Sequence, residues 1–182
     1  EDPLRKEAPE VIRRLKQCGI SKVVMMTGDS DRIASTIAHK VGVDEYYSEV
    51  LPEDKAKFVE NEKKSGRRVI MIGDGINDSP ALSEASVGIA ISDGAEIARE
   101  IADVTISADD LYEIATLKRL SDAMVRRINK NYHMIVGINT GLILLGVAGV
   151  FQPTMSALLH NTSTILISLK SMENLLDTGT KL

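Results

Sequence analysis

Tryptophan is missing from this 182-residue chain, aromatic residues amount to 3%, and Cys18 is the single cysteine. So few aromatics argue against a surface on which nucleic-acid bases stack. One cysteine excludes an internal disulfide and a cysteine zinc cluster, and Cys18 reads as a small buried hydrophobe. An excess of basic charge is also lacking: 22 Lys and Arg against 26 Asp and Glu give a formal net charge of −4. No nucleic-acid partner is expected. The chain opens Glu1-Asp2-Pro3-Leu4-Arg5, with neither an initiator Met nor a signal-like apolar stretch. That beginning suggests a piece cut from something longer.

Charge itself is absent from two stretches. Charged residues recur every few positions up to Lys130, but none occurs from Met134 to Phe151 or from Pro153 to Leu169, runs of 18 and 17 residues. As helices these would be roughly 27 and 26 Å long, near the roughly 30 Å of a bilayer core. Gln152-Pro153 provides a break between them. The expectation is a transmembrane hairpin, with helices over about 132–151 and 153–174 and a short cytosolic tail. Lys118, Arg119, Arg126, Arg127 and Lys130 crowd its entrance, which puts that end, and residues 1–130 with it, in the cytosol. The plasma membrane is the expected location. A buried helical hairpin in a soluble protein is the alternative.

The first part alternates short apolar runs with amphipathic segments. Lys22–Met26, Arg68–Ile72, Val87–Ile91 and Val104–Ile106 read as buried strands. Asp31–Val41, Glu53–Ser65, Ser79–Ala85 and Ala95–Ala102 read as helices, and a longer helix starts near Asp109. Repeated β-α units imply a parallel sheet with ligands at the C-terminal ends of its strands. Residues 1–116 form this α/β domain, and residues 117–182 form a connecting helix and the hairpin.

The chemistry-bearing residues fall at those strand ends. Thr27-Gly28-Asp29 follows the first strand, where a hydroxyl beside a glycine turn can donate to a phosphate oxygen. After Ile72 comes Gly73-Asp74-Gly75-Ile76-Asn77-Asp78-Ser79-Pro80-Ala81-Leu82. Its carboxylates, Asp74 and Asp78, stand four residues apart across a glycine turn. They suit Mg²⁺, which takes hard oxygen ligands beside a phosphate. Asn77 adds an amide donor. Lys55, near the start of a helix after Leu51-Pro52-Glu53-Asp54, reads by itself as a solvated charge.

Taken together, these segments resemble the P-type ATPases, a branch of the haloacid dehalogenase-like superfamily, over essentially the whole chain. Met26-Thr27-Gly28-Asp29, Pro52-Glu53-Asp54-Lys55 and above all Gly73 through Leu82, a GDGxNDxPAL run, carry the likeness. Gly88-Ile89-Ala90-Ile91 and Ala102-Asp103-Val104 extend it. The resemblance implies a haloacid dehalogenase-like, Rossmannoid parallel sheet, incomplete here, followed by the two-helix transmembrane hairpin. It implies that Asp74 ligates Mg²⁺, that Asp78 supports that site, and that Thr27 and Lys55 hold the transferred phosphoryl group. Asn77 would hydrogen-bond to it while Gly28 and Asp29 shape the pocket. ATP, its nucleotide domain, the actuator domain and the upstream membrane helices would come from the rest of the same ATPase. So would the nucleophilic aspartate. Asp177-Thr178-Gly179-Thr180 looks faintly like the nucleophile motif but lacks its Lys, and reads as a tail.

Only two spans after the phosphorylation domain resemble the heavy-metal (P1B) class. Ser156, His160, Asn161, Ser163, Thr164 and Ser168 fall on roughly a 160° arc of the second span, a face that belongs against other helices or an ion path. His160, Asn161, Ser163, Asn139 and Met155 are the candidates for contact with a transported heavy-metal cation, helix–helix glue being the plainer reading. Lys170 and Glu173 stand where Asn and Arg are expected in this class. No role attaches to His39 or His133. Two rivals remain: a soluble phosphatase of the same superfamily, and a non-catalytic membrane fragment.

Overall fold

The computed structural model describes residues 4–73, 76–91, 100–106 and 110–175. Two compact units divide the chain, Glu1–Leu117 and Lys118–Leu182. In the first, α1 (Ala8–Gln17), β1 (Val24–Met26), α2 (Asp31–Val41), β2 (Glu45–Tyr47), α3 (Pro52–Lys64) and β3 (Ile70–Gly73) follow in order. A 3₁₀ turn (Ile76–Asp78), α4 (Ser79–Glu84), β4 (Val87–Ile91) and β5 (Val104–Ile106) complete it. All described strand pairs are parallel, with Val24 opposite Glu45, Ile70 opposite Val87 and Ile89 opposite Val104. Parallel neighbours need a crossover, which α2 provides between β1 and β2 and α4 between β3 and β4. Among the described residues the strands form two sheets, β1-β2 and β3-β4-β5.

The α/β order matches expectation, and β4, β5 and α2 have the expected limits. Neither α1 nor β2 was expected. The first is rich in Arg and Lys and buries only a narrow stripe, Val11 and Leu15. The second is three residues, Glu-Tyr-Tyr, with no apolar run. Most of the expected helix Ala95–Ala102 lies outside the described residues.

Alternation along β4 organises the core. Ile89 joins Val11, Leu15, Ile106 and Ile114 on one side. Its neighbour Ala90 faces the other way and packs with Leu82 of α4. Burying Leu82, 1% exposed, contributes about 2 kcal/mol. Helix α3 buries Val59, and its Lys63 reaches Glu84, donating to the backbone carbonyl and to Oε1 (2.8 Å for the latter). That contact ties the end of α4 to α3. At the base of β1, Asp44 accepts from Lys16 Nζ and from the Val23 N–H, both at 2.7 Å. These two donors, Lys16 first, hold its carboxyl below the ordinary Asp range.

The remaining helices are α5 (Tyr112–Val147) and α6 (Pro153–Lys170). No helix among the described residues is long and apolar enough to cross a membrane. The expected spans over 132–151 and 153–174 therefore differ from the helices found, for two physical reasons. Helix α5 stops at Val147: Gly149 N–H donates to the Gly146 carbonyl and Val150 N–H to that of Leu145, with Gly149 at φ 72°. This is a Schellman stop, and it leaves Val150 and Phe151 outside the helix. Helix α6 ends at Lys170 and carries a polar middle, His160 to Thr164. At the open end of the pair, Arg127 donates to the Ser171 and Asn174 carbonyls (3.0 Å each) and to that of Glu173. Asn131 Nδ2 donates to Ser171 Oγ at 2.6 Å. A guanidinium at a helix C-terminus meets carbonyls that have no partner within the helix.

Candidate active site

Strand β3 ends on Gly73, and the chain returns through the 3₁₀ turn into α4. Asp78 closes that turn and is 9% exposed. Across from it, Pro52 starts α3, where a missing N–H costs nothing. Lys55 lies in the first turn of this helix, its N–H donating to the Leu51 carbonyl at 3.2 Å. Lys55 Nζ donates to Asp78 Oδ1 at 2.8 Å, with the two side chains 14% and 13% exposed. Charges this sheltered depend on each other, because either alone would carry an uncompensated desolvation cost.

Gly73 makes room for the carboxylate. A Cβ added there would lie 2.6 Å from Asp78 Cβ, 2.8 Å from Oδ2 and 2.9 Å from Cγ. The Asp78 side chain thus fills the space a side chain at position 73 would take. Beside it, the buried Ser79 hydroxyl has no hydrogen-bond partner among the described residues.

On the other sheet, Thr27 continues the ladder beyond β1: its N–H donates to the Tyr47 carbonyl, and its carbonyl accepts from Val50, both at 3.0 Å. Its Oγ1 donates to Asp29 Oδ2 at 2.8 Å and accepts from the Asp29 N–H at 3.1 Å. The Asp29 carbonyl accepts from Glu49 N–H at 2.9 Å. Glu49 adopts φ 53°, which is uncommon outside glycine. Gly28 is exposed, and a Cβ there would meet only the Val50 carbonyl at 3.9 Å.

The sequence assigned Thr27, Gly28, Asp29, Lys55, Asp74, Asn77 and Asp78 to one site. The structure joins Lys55 to Asp78 and Thr27 to Asp29, each pair beyond the C-terminal end of a parallel strand. Among the described residues no hydrogen bond links the two pairs. Asn77 is exposed in the 3₁₀ turn. Asp74 and Gly75 lie outside the described residues. Sequence reasoning gave Ser79 no role and missed that Gly73 is the wall against which Asp78 packs. The signal for the second was present, since a Gly at a strand end before an acidic turn marks a close approach.

The donor chemistry suits a hard dication: a sheltered carboxylate, seated against Gly73, beside a buried hydroxyl that has no partner among the described residues. No group of three or more His, Cys, Asp or Glu among the described residues is placed to hold a metal ion by itself.

In the second unit, His160 Nδ1 lies 2.7 Å from Asn139 Oδ1. With that oxygen as acceptor, Nδ1–H donates and Nε2 keeps its lone pair. Ser163 and Thr164 both donate to the His160 carbonyl, at 2.8 and 3.0 Å. Asn161 and Met155 are exposed. Both His160 and Asn139 were candidates, but their pairing was not foreseen. It follows from their nearly equal distances from the turn at Gly149–Val150.

Residues 1–86 match the model of a hydrolase family, the haloacid dehalogenase-like hydrolases. The α/β unit therefore has the haloacid dehalogenase-like fold. Over 91% of its length the chain is 40% identical to a zinc-exporting P-type ATPase of Mycobacterium marinum, and it spans 23% of that protein. It is 44% identical to a copper-transporting ATPase of Rhizobium meliloti over 87% of its length, spanning 19% of that protein. Among solved structures, a zinc-transporting PIB-type ATPase in its E2.Pi state superposes with a TM-score of 0.87 at 31% identity, covering 94% of this chain and 28% of the other. Over most of its length, the chain is homologous to heavy-metal P-type ATPases. It spans about a quarter of the length of these relatives.

Proposed function

We propose that this chain is the Mg²⁺- and phosphate-handling part of an ATP-driven heavy-metal pump that works through an aspartyl-phosphate. The observation that carries this reading is the sheltered Lys55–Asp78 pair packed on Gly73, in a chain whose homologues are such pumps.

Phosphoryl transfer needs little covalent help from the protein beyond positioning and charge stabilisation. The Lys55 ammonium offers charge and donors to the phosphoryl oxygens. The Thr27 hydroxyl reaches them by turning from Asp29, while the Asp29 carbonyl keeps the Glu49 N–H and holds the loop. Asn77, exposed on its turn, donates an amide N–H. Asp78, together with Asp74, would hold Mg²⁺, which when bound neutralises charge on the phosphoryl oxygens. The nucleophilic aspartate, the nucleotide domain with its ATP, the actuator domain and further membrane helices belong to the rest of the protein.

Helices α5 and α6 serve, on this reading, as a membrane hairpin. The two uncharged runs support it, and so does the likeness to a zinc-transporting ATPase. That likeness covers 94% of the chain and so extends beyond the α/β unit. Flanking Val150, Phe151 and the helix ends lengthen the apolar stretch. The basic end faces the cytosol, with residues 1–130 on that side of a plasma membrane. His160, held by Asn139, presents Nε2 to the cation, and Asn161, Ser163 and Met155 are further donors along the same helix.

Two measurements test this in the complete protein. Asp78→Asn keeps the packing on Gly73 but weakens the metal site. The Mg²⁺ needed for half-maximal phosphoenzyme should rise roughly 10- to 100-fold; an unchanged Mg²⁺ requirement would sink the assignment. For the cation, Asn139→Leu removes the acceptor that orients His160. The concentration of transition metal giving half-maximal ATPase should rise about tenfold or more, with basal phosphorylation from inorganic phosphate intact. An identical metal profile for Asn139→Leu and for His160→Ala would reduce the pair to packing.

A further inference from the structure

The open end of the hairpin carries positive charge that the pump chemistry does not use. Arg127 is committed to the carbonyls after α6, and Lys118 is committed to Asp122, with 2.6 Å to each carboxylate oxygen. Arg119 is half-buried and more than a turn further from the apolar run; Arg126, Lys130 and Lys170 are all exposed, and their side chains pair with no described residue. The Arg127 and Asn131 bonds to Ser171 fix the level of α6 against α5. Lys170 is therefore level with residues 127–131. Arg126 and Lys130 are about 6 Å apart along the helix axis and about 40° apart around it. Three cations thus form one band, roughly a single helical turn deep. The acid one turn before Arg126, Asp122, is occupied by Lys118, and Glu173 is the one acid beside the band among the described residues.

This band lies immediately before the uncharged run that begins at Met134. A headgroup layer is about 5–7 Å thick on each side of the hydrocarbon core, close to the depth of the band. Long basic side chains at such a level extend into the headgroups. Basic clusters on the cytosolic side of a membrane segment attract anionic lipid. We propose that Arg126, Lys130 and Lys170 bind the headgroups of anionic phospholipids, in preference to zwitterionic ones. This rests on the membrane reading of α5 and α6.

The chain has no tryptophan, so His133→Trp gives a single reporter. Position 133 is exposed and lies about 60° around the helix from Lys130, on the same side. Reconstituted in vesicles of phosphatidylcholine and phosphatidylglycerol, its quenching by brominated forms of each lipid reports which one is nearby. The reporter chain should favour brominated phosphatidylglycerol roughly three- to tenfold at low salt, less at high salt. Adding Arg126→Gln, Lys130→Gln and Lys170→Gln should bring the ratio close to one, with unchanged helical circular dichroism. Lys64→Gln, on the exposed side of α3, should leave it unaltered. Equal quenching by the two lipids in the reporter chain, or an undiminished preference in the triple variant, overturns lipid selectivity while leaving the hairpin in the membrane. Absence of quenching by either lipid overturns the membrane reading, and the lipid site with it.

Discussion

Lys55→Ala in the complete protein should lower phosphoenzyme turnover about 100- to 1,000-fold, the range seen when one positioned donor to a developing negative charge is removed. The same change should destabilise the α/β unit. Stripping the partner from a fully buried ion pair costs about 3–5 kcal/mol. Here the side chains keep 14% and 13% exposure, so water recovers part of that, and about 2–3 kcal/mol is expected. Urea unfolding separates the two effects. Removing both partners, Lys55→Ala with Asp78→Ala, should cost less stability than the sum of the single changes, because neither charge is then stranded. Lys55→Arg should restore much of the stability and little of the turnover, since a planar fork does not replace a compact ammonium. Normal turnover in Lys55→Ala would remove Lys55 from the chemistry, whatever the urea curves show.

Gly73→Ala should be nearly as damaging by a purely steric route. The added carbon would sit 2.6 Å from Asp78 Cβ, inside van der Waals contact, on a strand that cannot retreat because its Ile72 and Gly73 pair with Ile89 and Ala90. Asp78 must move instead, giving up its position beside Lys55. Overpacking of this kind costs about 1–3 kcal/mol or somewhat more, and the displaced carboxylate should cost most of the Mg²⁺-dependent activity. Gly28→Ala is the matched control. Nothing but the Val50 carbonyl lies within 4 Å of the new carbon, at 3.9 Å, so stability should change by less than about 0.5 kcal/mol. If thermal melts and Mg²⁺ titrations ranked the two glycine variants the other way round, Asp78 would not depend on Gly73 for its placement.

Where the chain is locally consistent, the sequence was readable. Val87–Ile91 is apolar throughout, and a strand buried on both faces must be so; its limits came out unchanged. Asp31–Val41 repeats its small apolar residues at helical spacing and ends before Gly42, at φ 77°. What failed depended on tertiary context. Strand β2 exists because Glu45, Tyr46 and Tyr47 pair with Val24, Met25 and Met26, not because their side chains prefer a strand core. Helix α1 earns its place through Val11 and Leu15 against Ile89 and Ile106, contacts remote in sequence. In the candidate site, the motifs singled out residues but not their bonds. Lys55, read alone as a solvated charge, is held by Asp78, whereas Thr27 turns to its own neighbour Asp29. Charge counting likewise put the end of the first hairpin helix at 151; the backbone bonds around Gly149, which no composition window registers, stop it at Val147.

The separation of the β strands into two sets has a practical consequence for handling the polypeptide. Among the described residues β1 bonds only to β2, and β3 only to β4, so one flank of each has no strand partner among those residues. Such flanks template strand addition, and that of β3 begins at a 40% exposed Ile70. Concentrated solutions of the polypeptide should therefore self-associate through these flanks, and dilution should reverse that association before any loss of helical signal.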